Sequence, residues 1–233
     1  MEITTKRVSY EADGQTLIGY LAYDPSAEES RPGVIVVHEW LGLNEYAMKR
    51  AVDLAKEGYV AFAADMYGGG TVVEPSEARN MAGSVAGDFP LIRSRFDAAL
   101  EVLTAQDSVD SSKIAAIGYC FGGGIVLNMA RMGTLIDGVV SFHGSINPGL
   151  DAGIGDVKPR ILAIQGEGDP AAPAERRRAF IEEMNAAGAD YELIVYEGVN
   201  AHNFTNPDGS SYYPEEADRA WKTMLGFFGE LFT

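Results

Sequence analysis

Ile114-Ala115-Ala116-Ile117-Gly118-Tyr119-Cys120-Phe121-Gly122-Gly123-Gly124 is the stretch that decides the fold. An apolar run leads into a residue with glycine two positions before and two positions after it. A glycine-rich helix start follows. That order is the geometry of a nucleophile elbow, a sharp strand-to-helix turn that lifts its central side chain out of the sheet. Such a turn strains the backbone of the central residue and leaves no space for side chains at the two flanking positions. Serine is the usual occupant; here it is Cys120. The competing reading treats a lone cysteine as a small buried hydrophobe, and the flanking glycines after a strand count against it.

Outward from this turn, strands and helices alternate. Two β segments, 5–10 and 16–22, are joined through Asp13-Gly14, a strong hairpin signal. The run Gly33-Val34-Ile35-Val36-Val37 has the continuous β-branched character of a strand buried on both faces. Helix 46–57 stops at Gly58, and strand 59–64 follows. One short helix is expected between 68 and 90, then a longer one at 91–105. Strand 113–117, helix 121–131 and strand 138–142 come next. A polar loop over 145–158 precedes strand 160–165, helix 174–187 capped by Gly188, and strand 191–196. The last helix covers 215–229, with Pro214 suited to its first turn. Strands alternating with helices of about ten or more residues imply βαβ units and a largely parallel sheet. A single α/β domain over 1–233 is expected.

Composition narrows the function. With 18 Lys plus Arg against 34 Asp plus Glu, the formal charge is −16. Nucleic acid and anionic membranes would be repelled, so neither is an expected partner. Arg176-Arg177-Arg178 has Glu175, Glu182 and Glu183 near it and reads as a solvated, ion-paired helix face. No apolar run approaches the roughly 18 residues of a membrane span, and no signal peptide is visible at the N-terminus. One cysteine cannot form an internal disulfide. A cytoplasmic monomer is the expectation. Gly122-Gly123-Gly124 lacks both the Gly-x-Gly-x-x-Gly pattern and a Walker lysine, so no nucleotide loop is expected. Neither a metal nor another cofactor is called for.

Ligands of such sheets bind beyond the carboxyl ends of the strands. There the chain carries His38-Glu39-Trp40, Cys120, His143-Gly144-Ser145, Gly166-Glu167-Gly168-Asp169-Pro170 and Glu197-Gly198-Val199-Asn200-Ala201-His202-Asn203-Phe204. The order nucleophile, acid, histidine is that of α/β hydrolases. Cys120 would attack a carbonyl, His202 would handle the proton, and Asp169 would fix the imidazole tautomer. Asp169 is preferred over Glu167 because it lies further into its loop. The oxyanion would be held by two backbone N–H groups, those of Phe121 and Trp40. His143 lies too early in the chain for the usual histidine and reads as pocket wall or core.

With these residues in view, the chain resembles the dienelactone hydrolase family, carboxymethylenebutenolidase-like proteins of the α/β-hydrolase superfamily, over nearly its whole length. The marks are Val37-His38-Glu39-Trp40-Leu41-Gly42-Leu43-Asn44, Asp65-Met66-Tyr67-Gly68, Gly118-Tyr119-Cys120-Phe121-Gly122-Gly123, Gly168-Asp169-Pro170 and His202-Asn203-Phe204. The resemblance implies an α/β-hydrolase fold with about eight mostly parallel strands and little or no cap. It implies a cysteine nucleophile with Asp169 and His202, and gives Glu39 the part of taking or holding the thiol proton. The bland alternative for Glu39 is an acid capping the next helix. The resemblance also implies two arginines that hold a substrate carboxylate. One position falls on Asn206, which carries no charge; the other falls on Arg79, with Gly83 and Ala86 where aromatic residues are expected.

A small neutral ester or lactone is therefore expected as substrate, in a pocket lined by Trp40, Tyr67, Tyr119, Phe121, His143 and Phe204. Two other classes compete: a non-catalytic ligand-binding protein of this fold, and a thiol redox sensor. For the sensor, no second cysteine could resolve a sulfenic acid.

Overall fold

The computed structural model describes residues 2–146 and 150–233; part of the polar loop expected over 145–158 therefore lies outside the described residues. The chain forms two compact units, Met1–Ala116 and Ile117–Thr233.

The first unit opens with β1 (Thr4–Ala12) and β2 (Gln15–Tyr23), paired antiparallel. Asp13 and Gly14 between them have φ of 47° and 77°. Two successive left-handed residues make the tight turn that suits the twist of a hairpin, which is why Asp-Gly occupies it. Next come β3 (Arg31–Val37), α1 (Glu45–Lys56) and β4 (Val60–Ala64). β3 and β4 run parallel, and β4 also pairs antiparallel with β2. Val34 to Val37 and all five residues of β4 are buried. Burying each aliphatic side chain contributes about 1.5–3 kcal/mol, so an uninterrupted apolar strand is stable only with both faces covered.

Helix α2 (Pro75–Ala86) is longer than the short helix expected. Helix α3 (Phe89–Thr104) begins two residues earlier than the sequence suggests, because Asp88 caps it and Pro90 fits its first turn. Arg95 on α3 donates to Met66 O at 2.7 Å and forks onto Asp13 at 3.1 and 2.9 Å. It ties the hairpin turn to the loop after β4.

Strand β5 (Val109–Tyr119) runs from the first unit into the second. It starts four residues before the expected strand; the polar Asp110-Ser111-Ser112 hides that start, while Val109 is buried. In the second unit follow α4 (Phe121–Arg131), β6 (Gly138–Phe142), β7 (Arg160–Gly166), α5 (Ala174–Ala187), β8 (Tyr191–Tyr196) and α6 (Pro214–Leu231). β6, β7 and β8 are parallel neighbours. Gly188 ends α5 at φ 69°, and Pro214 opens α6. The eight strands lie in the order β1-β2-β4-β3-β5-β6-β7-β8, a mostly parallel α/β sheet. Among the described residues no helix is long and apolar enough to cross a membrane.

Candidate active site

Cys120 stands at the junction of β5 and α4 with φ 53° and ψ −112°. A non-glycine residue in that region is strained, and surrounding structure has to hold it there. Two contacts do so: its N–H donates to Phe142 O at 3.1 Å, and its C=O accepts from Gly124 N at 3.2 Å. Two glycines of the elbow, Gly118 and Gly123, are steric requirements. A Cβ at Gly118 would overlap the Gly122 carbonyl, and one at Gly123 would come within 2.7 Å of Gly144 Cα. The thiol is half-buried, and Phe121 is the first residue of the helix behind it.

The thiol side chain is hydrogen-bonded to His202. His202 Nδ1 in turn lies 2.9 and 3.1 Å from the two oxygens of Asp169, which is fully buried as a side chain. Burial alone would pull the His202 pKa down. The hydrogen bonds to Asp169 and Cys120, with the charges on both, outweigh it and raise the pKa to about 10. Asp169 sits at the tip of the loop after β7 and accepts from Ala171 N at 2.7 Å. Glu167, the other acid of that loop, is exposed and accepts from Gly198 N. With Glu167 N–H on Tyr196 O and Gly168 N–H on Val199 O, that contact joins the Asp169 loop to the His202 loop.

His143 is buried beside His202, ring centroids 5.3 Å apart and nearly perpendicular. Its Nε2 is 2.7 Å from Thr205 Oγ1. Burial, then the His202 charge, hold its pKa well below the usual value, so it is a neutral core histidine. Phe204 packs on its ring at 5.5 Å, and Tyr119 lies 6.0 Å away. Asn206, at the expected arginine position, accepts from Asp208 N and shapes the turn after His202. Arg176 and Arg177 differ from the ion-paired face expected: both donate to backbone carbonyls of the Asp169 loop. A separate hollow along β8 and α6, lined by Tyr196, Glu197, Glu216 and Arg219 among others, contains none of Cys120, Asp169 and His202.

In the first unit, Glu39 follows β3 and is buried, whereas Trp40 is half-buried. Helix α1 is capped by Asn44, whose side chain accepts from Ala47 N, so capping is not the work of Glu39. His38 went unremarked in the sequence except as part of a motif. Its Nδ1 donates to Glu39 O at 2.6 Å while Nε2 accepts from Met66 N at 3.2 Å. That pair of contacts selects one neutral tautomer, and burial lowers the His38 pKa to about 4. Asp65 accepts from four backbone N–H groups, of Ile18, Tyr67, Gly68 and Gly70, and so shapes the loop after β4. From that loop the Tyr67 hydroxyl donates to Trp40 O at 2.8 Å. Arg79 lies exposed on α2. The roles of His38 and Asp65 are illegible in the sequence because their partners are main-chain atoms, which every residue carries.

The model of the dienelactone hydrolase family matches residues 17–232. Protein usf of Aquifex pyrophilus is 30% identical over 233 residues, covering 97% of this chain and 98% of its own. Among solved structures, a dienelactone hydrolase-like promiscuous phosphotriesterase from metagenomic libraries superposes with a TM-score of 0.94 at 34% identity, over 99% of each chain. Dienelactone hydrolase from Anabaena variabilis shares the fold, with a TM-score of 0.69 at 18% identity over 97% of this chain and 99% of its own.

Proposed function

Because the chain belongs to the dienelactone hydrolase family and is a hydrolase of lactones or esters, we propose that it cleaves small, uncharged substrates of that class through Cys120. The supporting observation is His202 hydrogen-bonded to Cys120 on one side and to Asp169 on the other. In this mechanism the Cys120 thiolate attacks the carbonyl carbon, forming the C–S bond as the π pair moves to oxygen. The N–H groups of Phe121 and Trp40 stabilise that oxyanion; the first turn of a helix leaves its N–H groups without intrahelical acceptors, which suits Phe121 to the task. Collapse expels the alkoxide, which takes the proton from the His202 imidazolium, leaving an acyl-cysteine.

Acylation also switches the histidine. Once sulfur is bonded to the acyl group, the hydrogen bond and charge that Cys120 lends to His202 disappear. Its pKa then falls, so the same imidazole can take a proton from water. Hydroxide adds to the thioester, thiolate leaves, and the acid departs. Before substrate binds, Glu39 is the proposed holder of the thiol proton; when substrate displaces Glu39, that proton passes to His202 and leaves the thiolate–imidazolium pair that attacks.

Asn206 in place of a cation favours a neutral substrate over one that carries a carboxylate, and Gly83 and Ala86 in place of aromatic side chains make part of the wall small. A second reading takes neutral phosphotriesters as substrates. It is supported by the same uncharged Asn206 and by likeness to the metagenomic phosphotriesterase. Turnover of a panel of aryl esters, lactones and an aryl phosphotriester tests both. Cys120→Ala and thiol alkylation should abolish hydrolysis. Turnover that survives in Cys120→Ala would assign the nucleophile elsewhere, and no turnover with any substrate would favour a binding protein.

A further inference from the structure

Three arginines in succession, Arg176-Arg177-Arg178, occupy the first turn and a half of α5, which begins at Ala174. Cations there oppose the helix macrodipole, whose N-terminal end is positive. No side chain caps this end, since Pro173 precedes it. The arrangement needs a compensating interaction, and for Arg177 the structure shows it. Its Nη1 donates to Glu167 O at 2.8 Å and Ala172 O at 2.9 Å, with Gly166 O at 3.4 Å. Two hydrogens on one nitrogen make two good bonds, and the longer third contact shares one of them.

These carbonyls belong to the two ends of one loop. Gly166 and Glu167 lie where β7 stops, and Ala172 lies where α5 is about to begin. Between them is Asp169, the partner of His202. The guanidinium therefore spans the base of the loop whose tip is the carboxylate. We propose that Arg177 is a positioning residue for the reaction, a clasp that holds Asp169 at bonding distance from His202. This rests on the triad reading above. The hydrogen bonds of Arg177 end on the carbonyls of the loop it closes, not on Cys120 or His202, and its action runs through Asp169. Charge matters as well as shape, because carbonyl oxygens that converge repel one another until a cation lies between them.

The test compares the full-length protein with Arg177→Met and Arg177→Gln. The His202 proton is followed by histidine NMR titration, and kcat and KM are measured with a chromogenic aryl ester across pH. Both variants should lower the His202 midpoint from about 10, because a loosened Asp169 bonds it less well. A misplacement of this kind should lower kcat roughly 10- to 100-fold while leaving KM nearly unchanged, and Arg177→Lys should restore part of the loss. A folded variant with the wild-type His202 midpoint overturns the proposal, as does a kcat loss that is uniform across pH. If neither variant folds, Arg177 is a support of α5 alone and the proposal also falls. Cys120→Ala separates the two ideas: if that variant retains turnover, the triad reading fails, whereas the His202 titration still reports on Arg177.

Discussion

The carbonyl of Gly122 lies where the first side-chain carbon of any other residue at position 118 would have to be. The two glycines are four apart in sequence, yet the elbow folds them onto each other. Cys120 lies between them at φ 53°. Gly118→Ala should therefore displace the elbow. Overpacking of a close-packed interior costs about 1–3 kcal/mol, so chemical denaturation should show a loss of that order. Ester turnover should fall much further than stability, because the thiol moves with the backbone. Wild-type turnover in a folded Gly118→Ala protein would refute the requirement.

Asp169→Asn should keep the fold and remove most of the activity. An amide can donate to the imidazole and select the wrong tautomer, which in a comparable triad lowers kcat by roughly 10⁴. Without the carboxylate, the His202 midpoint should drop from about 10. His202 carries its proton below that midpoint and loses it above. Any alkaline limb of the residual activity should move to lower pH in a kcat/KM profile.

Glu39→Gln tests the buried acid that follows β3. The side chain keeps its size and loses its ability to take a proton. Hydrolysis should slow substantially, while thermal unfolding stays close to wild type. Unchanged ester hydrolysis would remove Glu39 from the proposed mechanism.

Acid should destabilise the protein before its carboxylates titrate. His38 has a folded pKa of about 4 against 6.5 when unfolded, because burial penalises the cation. Between those values the unfolded chain binds the proton and the folded one does not. Stability is thus fully present above pH 6.5 and falls as pH drops toward 4, by about 3 kcal/mol for this group. Buried His143 acts in the same direction. Denaturation midpoints measured from pH 6.5 to 4 should decline, and the decline should shrink in His38→Asn. A flat profile would show that folding does not lower the His38 pKa.

The alternation of strands and helices was legible because it is written in local terms. Continuous apolar runs mark β3 to β7, Asp13-Gly14 marks a hairpin, and Gly188 marks a helix end. The elbow was legible for the same reason: strand, glycine, cysteine and glycine are consecutive. The order of Cys120, Asp169 and His202 could also be read, since each follows a strand. Their mutual distances could not. Asp169 and His202 are separated by 33 residues, and only the parallel pairing of β7 with β8 brings their loops side by side. The same holds for Arg177, which in sequence is one of three charges on a polar helix. Its partners are backbone carbonyls, and every residue has one, so no pattern of side chains announces them. Local periodicity determined the elements and the candidate residues; long-range main-chain contacts, invisible in composition, decided which of them hold one another in place.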